Sequence, residues 1–154
     1  MEKEFIGADK ALLQNPEISV LTSGISMRPL FREHKDVVVI ERVTRPLKRG
    51  DVILYRRKGW ENFVLHRLIR ITKKGLVIRG DNLYYNEYDI NREDVIGILK
   101  AFYRGGKYCE CEKSFAYKLY TQYIIISYPI RLVFTKCVRR PLGKLKRIIF
   151  KKRG

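Results

Sequence analysis

Ser23-Gly24-Ile25-Ser26-Met27-Arg28-Pro29-Leu30-Phe31 lies between two apolar runs, Ile18-Ser19-Val20-Leu21 and Asp36-Val37-Val38-Val39-Ile40. Gly24 lets the backbone turn tightly or take positive φ. Pro29 fixes φ and forbids a regular helix or central strand. The stretch therefore reads as a rigid, irregular loop at the end of a strand, with the Ser26 hydroxyl pointing outward. A nucleophilic serine needs that placement, and free N–H groups beside it could receive a developing oxyanion. The bland alternative is a turn satisfying its own backbone, because Ser and Gly favour turns. Partners elsewhere in the chain decide between the two.

Outward from this loop the chain reads mainly as short strands. Runs at 18–21, 37–43, 51–55, 62–72, 76–79, 94–103 and 108–112 are rich in Val, Ile, Leu and Tyr and are separated by turn residues. Such spacing predicts a mainly β domain of barrel or sandwich type. A short helix within 2–14 precedes it and stops at Pro16. Gly105-Gly106 marks a hairpin.

Residues 113–154 have a different character. No Asp or Glu follows Glu112, while Lys and Arg recur to the end. Ser114 is placed to cap a helix through Ala116, Leu119, Tyr120, Tyr123 and Ile124, with Pro129 breaking or kinking it. A second helix after Cys137 would align Val138, Leu142, Leu145 and Ile149 beside Lys144, Lys146, Arg147 and Lys151, a basic amphipathic pattern. The division is then a catalytic domain over 1–112 and a basic amphipathic extension over 113–154. That extension either packs on the β domain or meets an anionic membrane surface.

The chain has 154 residues, 33 Lys and Arg against 16 Asp and Glu, and a net charge of +17. One domain with a proper core is expected, with an anionic partner. Sequence-specific nucleic-acid binding is disfavoured, since no recognised motif is present. Three cysteines give no disulfide framework, and two histidines without paired cysteines give no metal site. No cofactor is implied. The first residues carry neither a signal peptide nor a membrane anchor, so a cytoplasmic or peripherally membrane-associated location is expected.

Two further boxes bear on Ser26. In Phe63-Val64-Leu65-His66-Arg67-Leu68-Ile69, alternation puts His66 on one strand face with Val64 and Leu68. A half-buried imidazole can take a proton from a serine hydroxyl, although a lone histidine there is more often merely packed. Gly80-Asp81-Asn82 follows, then Glu87 and Asp89. Any of these three acids could orient His66 as in a Ser-His-Asp arrangement, and the residues alone do not rank them. His34 sits in a charged run and reads as a solvated turn. Trp60 reads as a hairpin-tip or groove-rim aromatic.

The three boxes together, in order and spacing over about residues 20–103, resemble the signal peptidase I and LexA-like serine peptidase superfamily. Leu65-His66-Arg67 is similar to the His-Arg version found in endoplasmic-reticulum and archaeal signal peptidases. The resemblance implies a β-rich catalytic core with a substrate bound as an added strand. It implies Ser26 as nucleophile, His66 as general base, and Asp81 with Glu87 or Asp89 in support. Ser23, Gly24, Ile25 and Met27 would line the oxyanion and substrate site, with the Ser26 N–H a better donor than Ser23. The implied activity is that of a serine endopeptidase acting on an extended leader or precursor peptide. The chain departs from the family in lacking an anchor before Ser26 and in the loop length between Gly24 and Met27. A non-catalytic peptide- or nucleic-acid-binding module on the same fold is the alternative. A self-cleaving switch finds no evident Ala-Gly site in the N-terminal arm.

Overall fold

A computed structural model describes residues 7–57, 59, 62–135 and 137, and the side chain of Asp89 is not among what it describes. The expected second helix after Cys137, and Trp60, lie outside the described residues.

The order is α1 (Ala8–Gln14), β1 (Glu17–Leu21), β2 (Val37–Glu41), β3 (Val52–Arg56), β4 (Phe63–Thr72), β5 (Gly75–Arg79), β6 (Glu87–Ile90), β7 (Val95–Arg104), β8 (Lys107–Glu110), α2 (Phe115–Ile126) and α3 (Tyr128–Phe134). The strands form one antiparallel sheet in the order β1-β2-β7-β3-β4-β5-β6, with β8 also on β7. The fold is mainly β, as the turn spacing predicts. The sheet is open, however, with β1 and β6 as its two ends, so it does not close as a barrel would.

β7 organises the centre. One side pairs with β2 through residues 98–103. The other pairs with β3 near Ile98 and with β8 from Ala101 to Arg104. β3 lies between β7 and β4, and Val52, Ile53, Leu54 and Tyr55 are all buried. A strand covered on both faces reads as a continuous apolar run, which this one does.

The alternation of β3 sends its side chains into two cores. Val52 and Leu54 join Leu12, Met27, Leu30, Phe31, Ile40 and Leu99 beneath α1 and the serine loop. Ile53 and Tyr55 join Leu68, Leu76, Ile78, Ile90 and Ile98 on the opposite face. That second core is built from strand residues, so the sheet curls over itself to cover it.

The helices attach through specific contacts. Arg42 donates to the carbonyls of Leu12 at 2.6 Å, Leu13 at 3.1 Å and Asn15 at 3.1 Å, placing a cation at the C-terminus of α1. Ser114 caps α2 by accepting from the Tyr117 N–H at 3.2 Å. Thr121, Ile124 and Ile125 of α2 are buried, so this helix packs on the β domain. Pro129 sits in the first turn of α3, where a missing N–H is tolerated. It therefore starts a new helix after Ser127 rather than ending the helical segment.

Candidate active site

Ser26 lies in the turn after β1, in a segment fixed from several sides. The Thr22 hydroxyl lies 2.8 Å from Arg32 O and 2.9 Å from Asp36 O. Asp36 is fully buried and accepts from the Arg32 N–H at 2.9 Å and from the Arg32 guanidinium at 2.7 Å. Burial opposes its ionisation, yet the Arg32 hydrogen bonds and the nearby Arg104 hold its carboxyl below the usual range. Arg104 also donates to the carbonyls of Pro29 and Leu30. Gly24 takes φ 82°, a conformation that favours glycine, and its N–H is used by Glu33 at 3.0 Å.

Met27 is buried beneath the loop, Ser26 is partly buried, and Ser23, Gly24 and Ile25 are exposed. Among the described residues the Ser26 N–H has no hydrogen-bond partner, and neither has the Ser23 hydroxyl. The Ser26 N–H is thus placed to serve as an oxyanion donor.

The Gly80-Asp81-Asn82 turn holds this loop from the other side. Asn82 N–H donates to Ser26 O at 2.8 Å, and the Asn82 amide donates to Ile25 O at 3.1 Å. A Cβ on Gly80 would stand 2.7 Å from Ser26 O, so only glycine permits the approach.

Asp81 does not face His66. It is fully buried and takes a two-pronged bond from Arg67, 2.7 Å at each oxygen. Tyr120 OH adds a third bond at 3.0 Å. Arg67, itself fully buried, spends its remaining donors on Gly50 O at 2.9 Å and Thr121 Oγ1 at 3.0 Å. Burial disfavours the charged guanidinium, but Asp81 outweighs it and raises the Arg67 pKa. Of the three acids that could orient His66, Asp81 is therefore turned away from it. Alternation along β4 explains it, because His66 and Arg67 are consecutive and project to opposite faces.

Glu87 is the acid that meets His66. Its Oε1 lies 3.0 Å from His66 Nδ1, and its Oε2 accepts from Tyr55 OH at 2.7 Å. Arg57 forms an ion pair with the same carboxylate. Tyr55 OH lies 3.2 Å from His66 Nδ1. Burial opposes ionisation of Glu87, but hydrogen bonds from His66, Tyr55 and Arg57 prevail and hold its pKa at about 2. An ionised carboxylate only accepts. The Nδ1 of a neutral His66 ring must then carry the proton, and Nε2 keeps its lone pair. Nε2 has no hydrogen-bond partner among the described residues. Asp89 shares β6 with Glu87, but its side chain lies outside the described set.

A cavity of about 510 Å³ lies beside the serine loop, and neither His66 nor Glu87 lines it. Ser23, Gly24, Ser26 and Met27 line it, with Val20 and Leu21 of β1 on one side and Val64 and Leu65 of β4 on the other. Ser26 is thus across a cleft from the two residues that immediately precede His66. No hydrogen bond joins Ser26 Oγ to His66. Among the described residues the backbone edges beside the cavity are unpaired. β1 pairs only with β2, and β4 meets β5 only from Arg67 onward.

Tyr55 and Arg57 belong to this site and were not singled out from the sequence. For Tyr55 a signal exists: a tyrosine in an otherwise aliphatic central strand must find a partner for its hydroxyl. It stands diagonally across from His66, which is opposite Ile53. Arg57 follows the strand, among other basic residues, and carries no such signal. No protein-family model matches the chain, and no solved structure matches it.

Proposed function

We propose that the protein is a serine endopeptidase that binds an extended peptide segment in the cleft between β1 and β4. Its core would be of the signal-peptidase and LexA-like kind. The observation that supports this reading is the Glu87–His66 contact, reached along β4 from the Val64 and Leu65 wall of a cleft that holds Ser26 and has two strand edges unpaired among the described residues. An extended peptide satisfies its own backbone by adding to such edges, while alternate side chains enter the cavity.

In this reading the Ser26 hydroxyl attacks the scissile carbonyl. His66 Nε2 takes the hydroxyl proton and returns it to the leaving amine. Glu87 and Tyr55 fix the ring and stabilise the imidazolium as it forms. The Ser26 N–H bonds the oxyanion. Water then attacks the acyl-enzyme, with His66 again as base. Closure of the Ser26–His66 contact accompanies substrate binding, since catalytic hydrogen bonds often tighten only in the complex.

The test is cleavage of extended precursor peptides by the purified chain, followed by mass spectrometry. Ser26→Ala should abolish cleavage while leaving the thermal midpoint close to the parent's, and His66→Ala should abolish it at a cost in stability, since it empties a buried position beside Glu87. Equal cleavage by both variants would falsify the assignment. Peptide binding without any cleavage by the parent would favour a binding module using the same cleft.

A further inference from the structure

A second cavity, of about 580 Å³, opens where β4 and β5 meet the corner between α2 and α3. Arg49, Arg70 and Arg79 line it together with Asn86 and Tyr128, and no carboxylate does. Arg49 and Arg70 are exposed at the surface, whereas Arg79 is only 2% exposed. Arg79 lies over the Tyr128 ring, 3.5 Å from its centroid, and donates to Asn86 Oδ1 at 3.2 Å.

Among the described residues the buried Arg79 Nε has no hydrogen-bond partner, and neither have Ser127 Oγ and Arg131 Nε at the same corner. The nearby acid, Asp81, is already committed to Arg67 and Tyr120. Among the described residues Arg131 donates to the Asp81 carbonyl at 2.9 Å and the Ile124 carbonyl at 3.3 Å. Burial pushes the Arg79 guanidinium below its ordinary range, and Arg131 adds to this. Buried cations are ordinarily paired. Here a buried guanidinium stands in the wall of a cavity lined by further cations.

Beside it runs an apolar face that no other described residue covers. Leu119, Tyr123, Ile126, Ile130, Val133 and Phe134 are each more than half exposed. Their spacing of three and four carries one stripe along α2 and α3, and Ser127 joins the helices in a helical conformation. Ile125 and Tyr128, which line the cavity, alternate with Ile126 and Ile130 on the stripe. No described helix is long and apolar enough to cross a membrane. An apolar stripe bordered by arginines suits the interface of a bilayer rather than its interior.

We propose that this corner docks on an anionic phospholipid surface, with the cavity of Arg49, Arg70 and Arg79 taking a headgroup phosphate and the α2–α3 stripe entering the acyl boundary. Charge complementarity selects this occupant, since the chain carries +17 and no acidic residue after Glu112. Guanidinium forks match phosphate oxygens in pairs.

The experiment is co-sedimentation of the full chain with vesicles of phosphatidylcholine alone or containing phosphatidylglycerol, so the readout does not depend on peptide cleavage. The parent should bind the anionic vesicles at least about tenfold more strongly, and binding should weaken as salt rises. Ile130→Asp with Val133→Asp, both at exposed positions, should weaken binding about tenfold or more. Arg79→Gln should weaken it about fivefold. Arg49→Gln with Arg70→Gln tests the same cavity without altering a buried residue. Unchanged binding in all these variants overturns the proposal, as does equal binding to neutral vesicles. Stabilisation by glycerol phosphate through Arg79, with no vesicle binding, would show a site for a free phosphate and overturn the lipid assignment. Dimerisation that Ile130→Asp abolishes, again without vesicle binding, would give the stripe to a second copy instead.

Discussion

Removing the Asp81 carboxylate should cost far more than any surface ion pair. Asp81→Leu deletes two 2.7 Å bonds to Arg67 and one from Tyr120, and leaves the Arg67 charge at 0% exposure with Gly50 O and Thr121 as hydrogen-bond partners and the Tyr117 and Tyr120 rings nearby. Breaking one side of such a buried pair costs about 3–5 kcal/mol. That is a large part of the roughly 5–15 kcal/mol that stabilises a domain. Arg67→Met should cost about as much, since it strands the carboxylate in turn. The double variant removes both charges and should lose only about 1–3 kcal/mol, chiefly from the unpaired Tyr120 hydroxyl and imperfect packing. The coupling energy is then about 3 kcal/mol or more, readable from urea unfolding of the four proteins. Single costs below about 1 kcal/mol, or additive costs, would refute the argument, because both require the pair to be solvated. A functional readout accompanies it. Asn82 holds the Ser26 carbonyl, so the Asp81 variant should also lose peptide cleavage in proportion to the disorder of its turn.

Glu87→Gln should lower kcat for peptide cleavage by about 10²–10⁴-fold with little change in KM, because the amide no longer fixes the His66 tautomer; an unchanged rate would remove Glu87 from the mechanism. The Glu87 carboxyl, at about 2 when folded against 4.5 when free, contributes stability that is complete above pH 4.5 and lost as pH falls towards 2. After discounting for solvent screening that is roughly 1–2 kcal/mol, and denaturation midpoints of the parent should converge on those of Glu87→Gln across that window. Gly80→Ala brings a methyl to 2.7 Å from Ser26 O and should cost about 1–3 kcal/mol while depressing cleavage, as unfolding curves and kcat together would show. Burial, with Cys109 adding, pushes the Cys111 thiol up to about 12, whereas Cys137 is exposed. Native protein at pH 8 should therefore react with a maleimide faster at Cys137 than at Cys111, and equal rates would contradict the burial.

The strands were legible because each is a short apolar run bounded by turn residues, and their ends fall within a residue or two of the readings. β6 was not, because Glu87-Tyr88-Asp89-Ile90 is half charged and its strand is made by pairing with β5 rather than by its own pattern. The open sheet was equally hidden, since closure depends on register and curl, which alternation does not encode. At the candidate site, Ser26 and His66 stand out from their boxes as candidates. The choice among Asp81, Glu87 and Asp89 does not, because it rests on which strand face each loop approaches. Arg67 shows the limit most plainly. A charged residue in a strand reads as solvent-facing, and nothing local reveals that it is fully buried against Asp81.

His66 and Arg67 are neighbours on β4, yet one joins the Glu87 cluster and the other the Asp81 clamp. A slip of β4 by a single position would seat one of them in the other's place and leave the second acid facing an aliphatic neighbour: Leu68 would meet Asp81 if Arg67 moved to Glu87, and Leu65 would meet Glu87 if His66 moved to Asp81. Either way one buried carboxylate gains an ill-fitting partner and the other loses its partner. The strand thus carries its own proofreading, in which mispairing is penalised at both acids at once. The protein's alignment and its proposed chemistry are in this way secured by the same dipeptide.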